Sequence, residues 1–484
     1  MSSRAFAHAL NIPSVPASAV AAAVAFAAVA GVATTIVSQP VILLGFLACV
    51  GMVITFALKP QFGAYVWLML CPLIVGIARG EGLLVLRPNE MLLLIIAAGV
   101  GVRILWDYAH ETPIIPPLHN IDVSIVLLAI FGSIIPLLLA YGRGIPIVQD
   151  DVLYAMVFIK YFVLYAVFRF GVRSKKQVAT CLKVTLFSGC IVAITAGLQV
   201  RDLLSVPQFL DTYYDGPFEG VSGPITSRAS STIASSFGLA DLMAMCLAIT
   251  VAMATLVSRN NRILLFGAGL LFLGGCISAA SFSGFIGGSV AVVIVGLLTG
   301  HLLGQLAIFV PAAALGTAFF WSAISSRLDG FSNYQSLPPS WLGRLENLER
   351  FFWPEVFSGW NWLLGVRPAA RVAAPEAWRE WVYIESGHTW LLWTGGLPLL
   401  LVFFILTWAV VDDLYVLATK DKTFAGVAAI AALAATAMIF VLMMFDPHLT
   451  VRGSADLYFP LLALALVSLP AKRVIHKVST SQSL

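Results

Sequence analysis

Charged side chains are scarce in this sequence: Asp, Glu, Lys and Arg make up 11% of its 484 residues, while hydrophobic residues make up 60%. A typical soluble domain has about 25% charged residues. This scarcity excludes an ordinary soluble domain and predicts an integral membrane protein. The net charge is only +4, and the basic residues form short separate clusters, so we expect no nucleic-acid partner.

Cysteine is also rare, and the chain has no C-x-x-C pair and no cluster of histidines beside a cysteine. The six cysteines all stand in or beside apolar runs. They are Cys49, Cys71, Cys181, Cys190, Cys246 and Cys276. This arrangement supports neither a disulfide framework nor a zinc site.

What the sequence has in abundance is long apolar runs. A helix of about 20 residues crosses a hydrocarbon core about 30 Å thick, and the runs have that length. Their apolar residues are continuous rather than alternating, which excludes a membrane β-barrel. The predicted fold is therefore all-α, a polytopic transmembrane helix bundle of about fourteen spans. The spans are predicted near 20–37, 41–58, 63–78, 90–105, 123–140, 153–170, 178–199, 238–257, 263–279, 285–299, 302–323, 390–411, 424–445 and 457–469.

The distribution of Lys and Arg predicts the topology. Counted in order, the spans put every basic cluster on one side, and the positive-inside rule makes that side the cytoplasm, with both termini there. The clusters are 173–176, 259–262, 420–422 and 472–477. The same count puts four polar connections outside. They are 79–89, 199–237, 325–387 and 446–456.

Four segments follow from this topology. They are N-terminal transmembrane helices with a first external loop (1–237), central transmembrane helices (238–323), a large extracytoplasmic loop (324–389), and C-terminal transmembrane helices with a cytoplasmic tail (390–484). In the large loop, Trp341, Leu345, Leu348 and Phe352 recur at i, i+4, i+7 and i+11, which predicts an amphipathic helix. Its apolar side is expected to lie on the membrane surface or across the bundle.

Several short motifs in and around this loop occur in the order found in a known family. They are 344–345 (RL), 362–365 (WLLG), 385–388 (ESGH) and 395–398 (GGLP), with 228–232 (RASST) and 235–240 (SSFGLA) upstream. Together they resemble the O-antigen ligase and polymerase superfamily of polytopic membrane glycosyltransferases. The pattern departs from the family where Thr389 rather than Asn follows His388, and where 281–284 (SFSG) lacks an Arg.

The resemblance implies transfer of an oligosaccharide from a polyprenyl-diphosphate carrier to a sugar hydroxyl at the outer face of the bacterial inner membrane, without a metal or another cofactor. Arginines would hold the diphosphate, because a guanidinium pairs with phosphate oxygens through two hydrogen bonds. Arg228 and Arg344 match the family's Arg positions, and Arg367 and Arg452 are reserves. The alternative for each is a loop salt bridge or interfacial anchoring.

A base must take the proton of the acceptor hydroxyl. The motif at 385–388 offers Glu385 and His388, one turn apart at the mouth of a span, and either can take the proton while the other orients it. A histidine at such a place otherwise serves as a structural hydrogen-bonding group.

Two ionisable residues inside predicted spans also stand out. Lys160 interrupts an apolar run, and it is either functional or paired within the bundle. Asp241, near the outer end of its helix, is expected to pair with an Arg.

Three functions remain open. A polymerase of exopolysaccharide or O-antigen is favoured by Glu385-Ser386 and by the short interval from His388 to Gly395. A ligase that transfers the glycan to lipid A-core is favoured by His388 itself. A transporter or flippase of lipid-linked sugars is less consistent with polar residues gathered in external loops. The expected partners are polyprenyl-diphosphate-linked oligosaccharide, a glycan or lipid A-core acceptor, membrane lipid, and proteins that control chain length or export.

Overall fold

A computed structural model of the chain describes residues 40–78, 86–111, 115–215, 228–321, 324–325, 339–375 and 380–469. The fold is all-α. Ten helices in this part of the chain are long and apolar enough to cross a membrane, and three shorter apolar helices accompany them. The predicted class of helical membrane protein is therefore confirmed.

The N-terminal half of the described chain is a series of helices joined by short connections. They are α1 (Pro40–Leu58), α2 (Pro60–Ile74), α3 (Pro88–Ala109), α4 (Asn120–Gly142), α5 (Gln149–Gly171), α6 (Lys175–Val200) and the short α7 (Val206–Tyr213).

The C-terminal half contains more helices and one small hairpin. The helices are α8 (Ser236–Ala254), α9 (Arg259–Ser278), α10 (Phe282–Thr299), α11 (Leu302–Phe319), α12 (Pro339–Asn347), α13 (Trp353–Val356), α14 (Asn361–Leu364), α15 (Gly387–Lys420), α16 (Phe424–Leu442) and α17 (Ala455–Ala465). A π-helical turn, Leu348–Phe352, joins α12 to α13, and strands β1 (Arg371–Ala373) and β2 (Trp381–Tyr383) pair antiparallel.

The predicted spans agree in position with the helices of the structure. The predicted span at 20–37 lies outside the described residues, and each later span overlaps a helix. Three apolar stretches, Gly45–Leu58 of α1, Pro60–Ile74 and Ala455–Ser468, have fewer residues than the ten helices that are long enough to cross a membrane. The count of about fourteen spans therefore stays a prediction.

The centre of the bundle is formed by α8 and α16. Both helices are buried over 83% of their most apolar stretch, and they pack against each other and against α10. The sequence of α16 alternates larger apolar residues with many alanines. Small side chains allow close approach between helices in a membrane protein, so this composition suits a central position.

Buried charges in the bundle are paired. Lys160 Nζ lies 3.3 Å from Asp456 Oδ1, which makes Lys160 a structural residue of the bundle. Near the C-terminal end of α5, Arg169 Nε donates to Asp122 Oδ1 at 2.9 Å, and the hydroxyl of Tyr165 donates to the same oxygen at 2.5 Å. Pairing offsets part of the cost of removing these charges from water.

The predicted amphipathic helix is present as α12 and the π-helical turn, and it packs across one end of the bundle. The ring of Trp341 lies 5.5 Å from that of Phe445, and the ring of Phe352 lies 5.2 Å from that of Trp393. Leu345, expected on the same face, is exposed.

Helix α15 has a sharp break at Gly396. Its φ of 65° lies in the left-handed region, and an added Cβ would lie 2.1 Å from the carbonyl oxygen of Leu363. Pro398 follows and begins the longer part of the helix, where its missing N–H is not needed. The break lets the loop containing α14 lie against the backbone of α15, where Val366 N donates to Trp393 O at 2.6 Å.

Replacement of Gly396 by alanine should lower the thermal stability of the detergent-solubilised protein. The left-handed conformation alone costs about 1–2 kcal/mol for a residue with a Cβ, and the contact with Leu363 adds to it. Gly101→Ala is the matched control, because nothing lies within 4 Å of a Cβ at that position in α3. Equal unfolding temperatures for the two variants would contradict this account of the break.

Candidate functional site

A cavity of about 940 Å³ lies at one end of the bundle. The residues lining it come from all four connections that the sequence predicts on the outer side. The ionisable ones are Arg87, Asp215, Arg228, Arg344, Glu385, Asp446 and Arg452. Connections separated by hundreds of residues therefore meet at the same end of the fold, as the count of spans predicts.

Four of the six predicted site residues, Arg228, Arg344, Arg452 and Glu385, line this cavity. Three other charged residues line it that the sequence analysis did not predict as site residues, namely Arg87, Asp215 and Asp446. The sequence does contain a signal for the position of Arg87. Proline is common at the first position of a helix, so Pro88 predicts that α3 begins there and that Arg87 is the last residue of the preceding connection.

The first charged group in the cavity is the Arg344 cluster, formed by Arg344, Glu385 and Asp446. Arg344 Nη1 lies 3.1 Å from Asp446 Oδ2, and Arg344 Nε lies 3.5 Å from Glu385 Oε1. Asn347, one turn further along α12, donates from Nδ2 to Glu385 Oε2 at 3.4 Å. Burial raises the pKa of Asp446 more than the Arg344 guanidinium lowers it. The Arg344 guanidinium thus pairs with two carboxylates, of which that of Asp446 is the more buried.

The second charged group is the Asp215 cluster, formed by Arg87, Asp215 and Arg452. Asp215 Oδ2 lies 2.7 Å from Arg87 Nη1 and 3.3 Å from Arg452 Nη1. Two guanidinium groups share one carboxylate, so the cluster has a net positive charge. Arg228 lines the same cavity and adds to that charge.

Two helix N-termini add to the positive potential. The cavity is lined by Ser236 and Phe237 at the beginning of α8, and by Phe282 and Ser283 at the beginning of α10. Neither helix has an acidic residue in its first turn. The positive end of each helix dipole therefore favours an anion in the cavity.

His388 lies outside the cavity lining. Its ring contacts phenylalanines, with centroid distances of 6.0 Å to Phe403, 6.1 Å to Phe404 and 6.5 Å to Phe440. The reason is helical geometry. Trp390, which lines the cavity, is two residues further along α15, and two residues are about 200° apart around a helix. Of the expected pair, Glu385 therefore lines the cavity and His388 does not.

Arg367, predicted as a reserve for binding the diphosphate, also lies outside the cavity lining. Its Nε and Nη2 donate to the two oxygens of Asp151 at 3.0 and 2.6 Å. The side chain of Asp151 is 1% exposed, and it also accepts from the backbone N of Ala369 at 3.1 Å. Arg371 pairs with the adjacent Asp150. These contacts, the Asp151 clamp, attach the large loop to the beginning of α5.

A buried His–Asp pair lies behind the cavity wall. His448 Nδ1 lies 2.6 Å from Asp241 Oδ2, and the two side chains are 0% and 1% exposed. Asp241 therefore pairs with a histidine and not with the expected arginine. Burial lowers the pKa of His448, but the carboxylates of Asp241 and Asp446 raise it by more. The pKa of His448 is therefore above its ordinary value.

His448→Ala should destabilise the protein by about 3–5 kcal/mol, since it leaves a buried carboxylate without its partner. In a thermal-unfolding cycle with Asp241→Ala, the double variant should lose less than the sum of the single losses. Additive losses would contradict the pairing.

The same pair predicts a pH dependence. Because the pKa of His448 is raised above its ordinary value of 6.5 in the folded protein, the stabilisation is fully present below that value and is lost as pH rises through the folded pKa. The difference in unfolding temperature between wild type and His448→Ala should therefore be larger at low pH than at high pH. A difference independent of pH would contradict a charged histidine.

In the described part of the chain, no group of three or more His, Cys, Asp or Glu side chains is arranged to hold a metal ion. Comparison of the sequence with protein-family models and with curated proteins finds no match. The chemistry of the cavity is therefore the basis for a functional proposal.

Proposed function

We propose that the protein is a membrane glycosyltransferase that polymerises polyprenyl-diphosphate-linked oligosaccharide repeat units into exopolysaccharide or O-antigen. The observation that carries the proposal is one cavity containing four arginines and three carboxylates, drawn from four separate connections of an apolar bundle. A reaction with a diphosphate leaving group and a hydroxyl acceptor needs both kinds of charge. No step of the proposal uses a metal or another cofactor.

The diphosphate would bind at the Asp215 cluster and Arg228. Arg452 has donors beyond the one that faces Asp215, since a guanidinium has five. Hydrogen bonds between charged groups are stronger than neutral ones, and the beginnings of α8 and α10 favour an anion at the same place. The arginines would stabilise the negative charge that develops as the diphosphate leaves.

Glu385 is proposed as the base. The acceptor hydroxyl oxygen forms a bond to the anomeric carbon of the donor sugar while the bond from that carbon to the diphosphate oxygen breaks. The hydroxyl proton passes to Glu385, and polyprenyl diphosphate leaves with the bonding electrons. Contacts with Asn347 and Arg344 orient the carboxylate, so Arg344 has a role beside the base rather than the expected role in holding the diphosphate.

The size and lining of the cavity suit sugars. A volume of about 940 Å³ is near the upper end of the range of about 300–1,000 Å³ for small-molecule sites. Aromatic side chains of Tyr154, Phe237, Trp341, Trp390 and Phe445 line it together with several serines. Aromatic faces pack against the apolar side of a sugar ring, and hydroxyl groups hydrogen-bond to its edge.

The proposed location is the outer face of the bacterial inner membrane, with both termini in the cytoplasm and about fourteen spans. Basic residues gather at the end of the bundle opposite the cavity, where α6 begins at Lys175, α9 begins at Arg259 and α15 ends at Lys420. The positive-inside rule assigns that end to the cytoplasm. The cavity then opens outside, where polyprenyl-linked repeat units are polymerised in the resembled family.

Polymerase is preferred to ligase because His388, the ligase-like feature of the sequence, packs among phenylalanines outside the cavity. A transporter is disfavoured because the charged residues of the cavity come from connections at one end of the bundle and not from the middle of the spans.

Glu385→Gln should reduce the turnover number by about 10²–10⁴-fold, the usual contribution of a general base. His388→Phe should leave it within a few-fold of wild type, because its ring lies outside the cavity. The measurement is the initial rate of glycan transfer by the purified protein. An active Glu385→Gln variant together with an inactive His388→Phe variant would reverse the assignment of the base.

The reaction itself is tested by incubating the purified protein with polyprenyl-diphosphate oligosaccharide, with and without lipid A-core, and separating the products by size. A ladder of lengths without lipid A-core is the expected result. A single capped lipid would mean a ligase, and no product under either condition would favour transport.

Arg452→Gln should raise the KM for the donor by about tenfold or more, since a hydrogen bond to a charged group is worth about 1.5–3 kcal/mol.

A further inference from the structure

A second cavity, of about 420 Å³, lies toward the other end of the bundle between α8, α9, α10 and α11. We name it the α9–α11 slot. Its lining is almost entirely apolar, and its polar residues are Thr250, Thr255, Arg262, His301 and Gln305. It shares no lining residue with the cavity that contains Glu385.

The slot is long and narrow. On α9, the lining residues Arg262, Leu265, Gly269 and Leu273 recur along one face. On α11 and the residue before it, His301, Gln305, Ile308 and Ala312 recur in the same way. Both rows of residues run from the polar end of the slot toward the middle of the bundle. Eleven residues of helix span about 16 Å, so the slot has the shape of one extended hydrocarbon chain.

One end of the slot is closed. A small hydrophobic cluster of Leu273, Ile277, Phe320 and Ile324 packs there, with Phe309 and Ala312 against it. The cluster separates the slot from the end of the bundle where the charged cavity lies. The occupant must therefore enter from the side or from the polar end.

The outer wall of the slot faces the membrane. Helix α11 has no buried residue along its whole length, and Leu303, Ile308 and Leu315 are exposed. In an apolar helix of a membrane-spanning bundle, such surface is covered by lipid. The molecules that reach an apolar slot at this depth are the acyl chains of lipids.

The open end of the slot is polar and basic. Arg262 lies there in the first turn of α9, exposed, with Nε donating to Val257 O at 3.1 Å. A neighbouring cavity of about 200 Å³ shares Thr255 and His301 with the slot and adds Lys422 and Asp421. The Asp421 carboxylate pairs with Lys175 at 3.4 Å. Among the described residues, the buried Oε1 of Gln305 has no hydrogen-bond partner, while its Nε2 donates to Thr299 Oγ1 at 3.1 Å. The mouth therefore offers cationic donors and one unsatisfied acceptor to a head group.

We propose that the α9–α11 slot binds an anionic phospholipid, with one acyl chain along the slot and the phosphate against Arg262. The basic mouth lies at the end of the bundle that carries Lys175 and Lys420, where anionic lipids are attracted to cationic side chains by about 1 kcal/mol for each. This site is independent of the proposed transferase reaction. It would join α11, the least buried of the long helices, to the rest of the bundle.

The test uses the full-length protein, purified in detergent and mixed with equal amounts of phosphatidylglycerol and phosphatidylcholine, with bound lipid measured by native mass spectrometry. Gly269→Leu fills the slot, since a Cβ at this position meets only Thr250 and Leu247, at 3.7 and 3.8 Å. Arg262→Gln removes the cation at the mouth. Arg259→Gln is the matched control, one turn earlier and outside the slot lining.

Wild type and Arg259→Gln should retain one phosphatidylglycerol in preference to phosphatidylcholine. Gly269→Leu should reduce retention of both lipids by about tenfold, the effect of losing about 1.4 kcal/mol, and Arg262→Gln should remove the preference while keeping some binding. Ile308→Trp, which fills the slot from α11, repeats the first test if Gly269→Leu unfolds.

Three outcomes would overturn the proposal. They are undiminished retention in the filled variants, equal retention of the two lipids by wild type, and loss of preference in Arg259→Gln to the same extent as in Arg262→Gln. Retention of a polyprenyl phosphate from the host membrane in place of phosphatidylglycerol would also overturn it, and the mass of the bound molecule separates the two.

Discussion

The arrangement of the charged cavity depends on the Asp151 clamp. Asp151 is almost fully buried, and its two oxygens accept from the Arg367 guanidinium and from the backbone of Ala369. The backbone N of Val148 also donates to Asp151, and a buried carboxylate with four donors fixes the direction of the chain that leaves it. That chain forms β1 and β2 and then reaches Glu385, so the clamp sets the position of the proposed base relative to Arg344. Arg367, predicted from the sequence to bind substrate, thus contributes to the position of Glu385.

The sequence predicted the helices well because the apolar runs satisfy a requirement that is local. A helix in hydrocarbon must hydrogen-bond its own backbone, and its length is set by the thickness of the core. The count of spans also predicted that four connections meet at one end, and the cavity contains residues from all four. Side-chain partners were not predictable in the same way. Asp151 and Arg367 are 216 residues apart, and Asp241 and His448 are 207 apart, and nothing in either neighbourhood indicates the other.

Local geometry explains one of the remaining errors. The interval of three residues between Glu385 and His388 suggests one face of a helix, but α15 begins only at Gly387, and Glu385 precedes its N-cap residue, Ser386. The two side chains therefore belong to different local structures and face different surroundings.

The connection between α16 and α17 has an architectural consequence. Within three residues it directs Asp446 into the cavity and His448 into the core, and the backbone N of His448 donates to Asp446 O at 2.7 Å. The segment is therefore fixed at two points, by Asp446 in the cavity and by His448 in the core. Insertion or deletion of a single residue there would displace one anchor or the other, so that this connection, unlike most surface loops, has a fixed length.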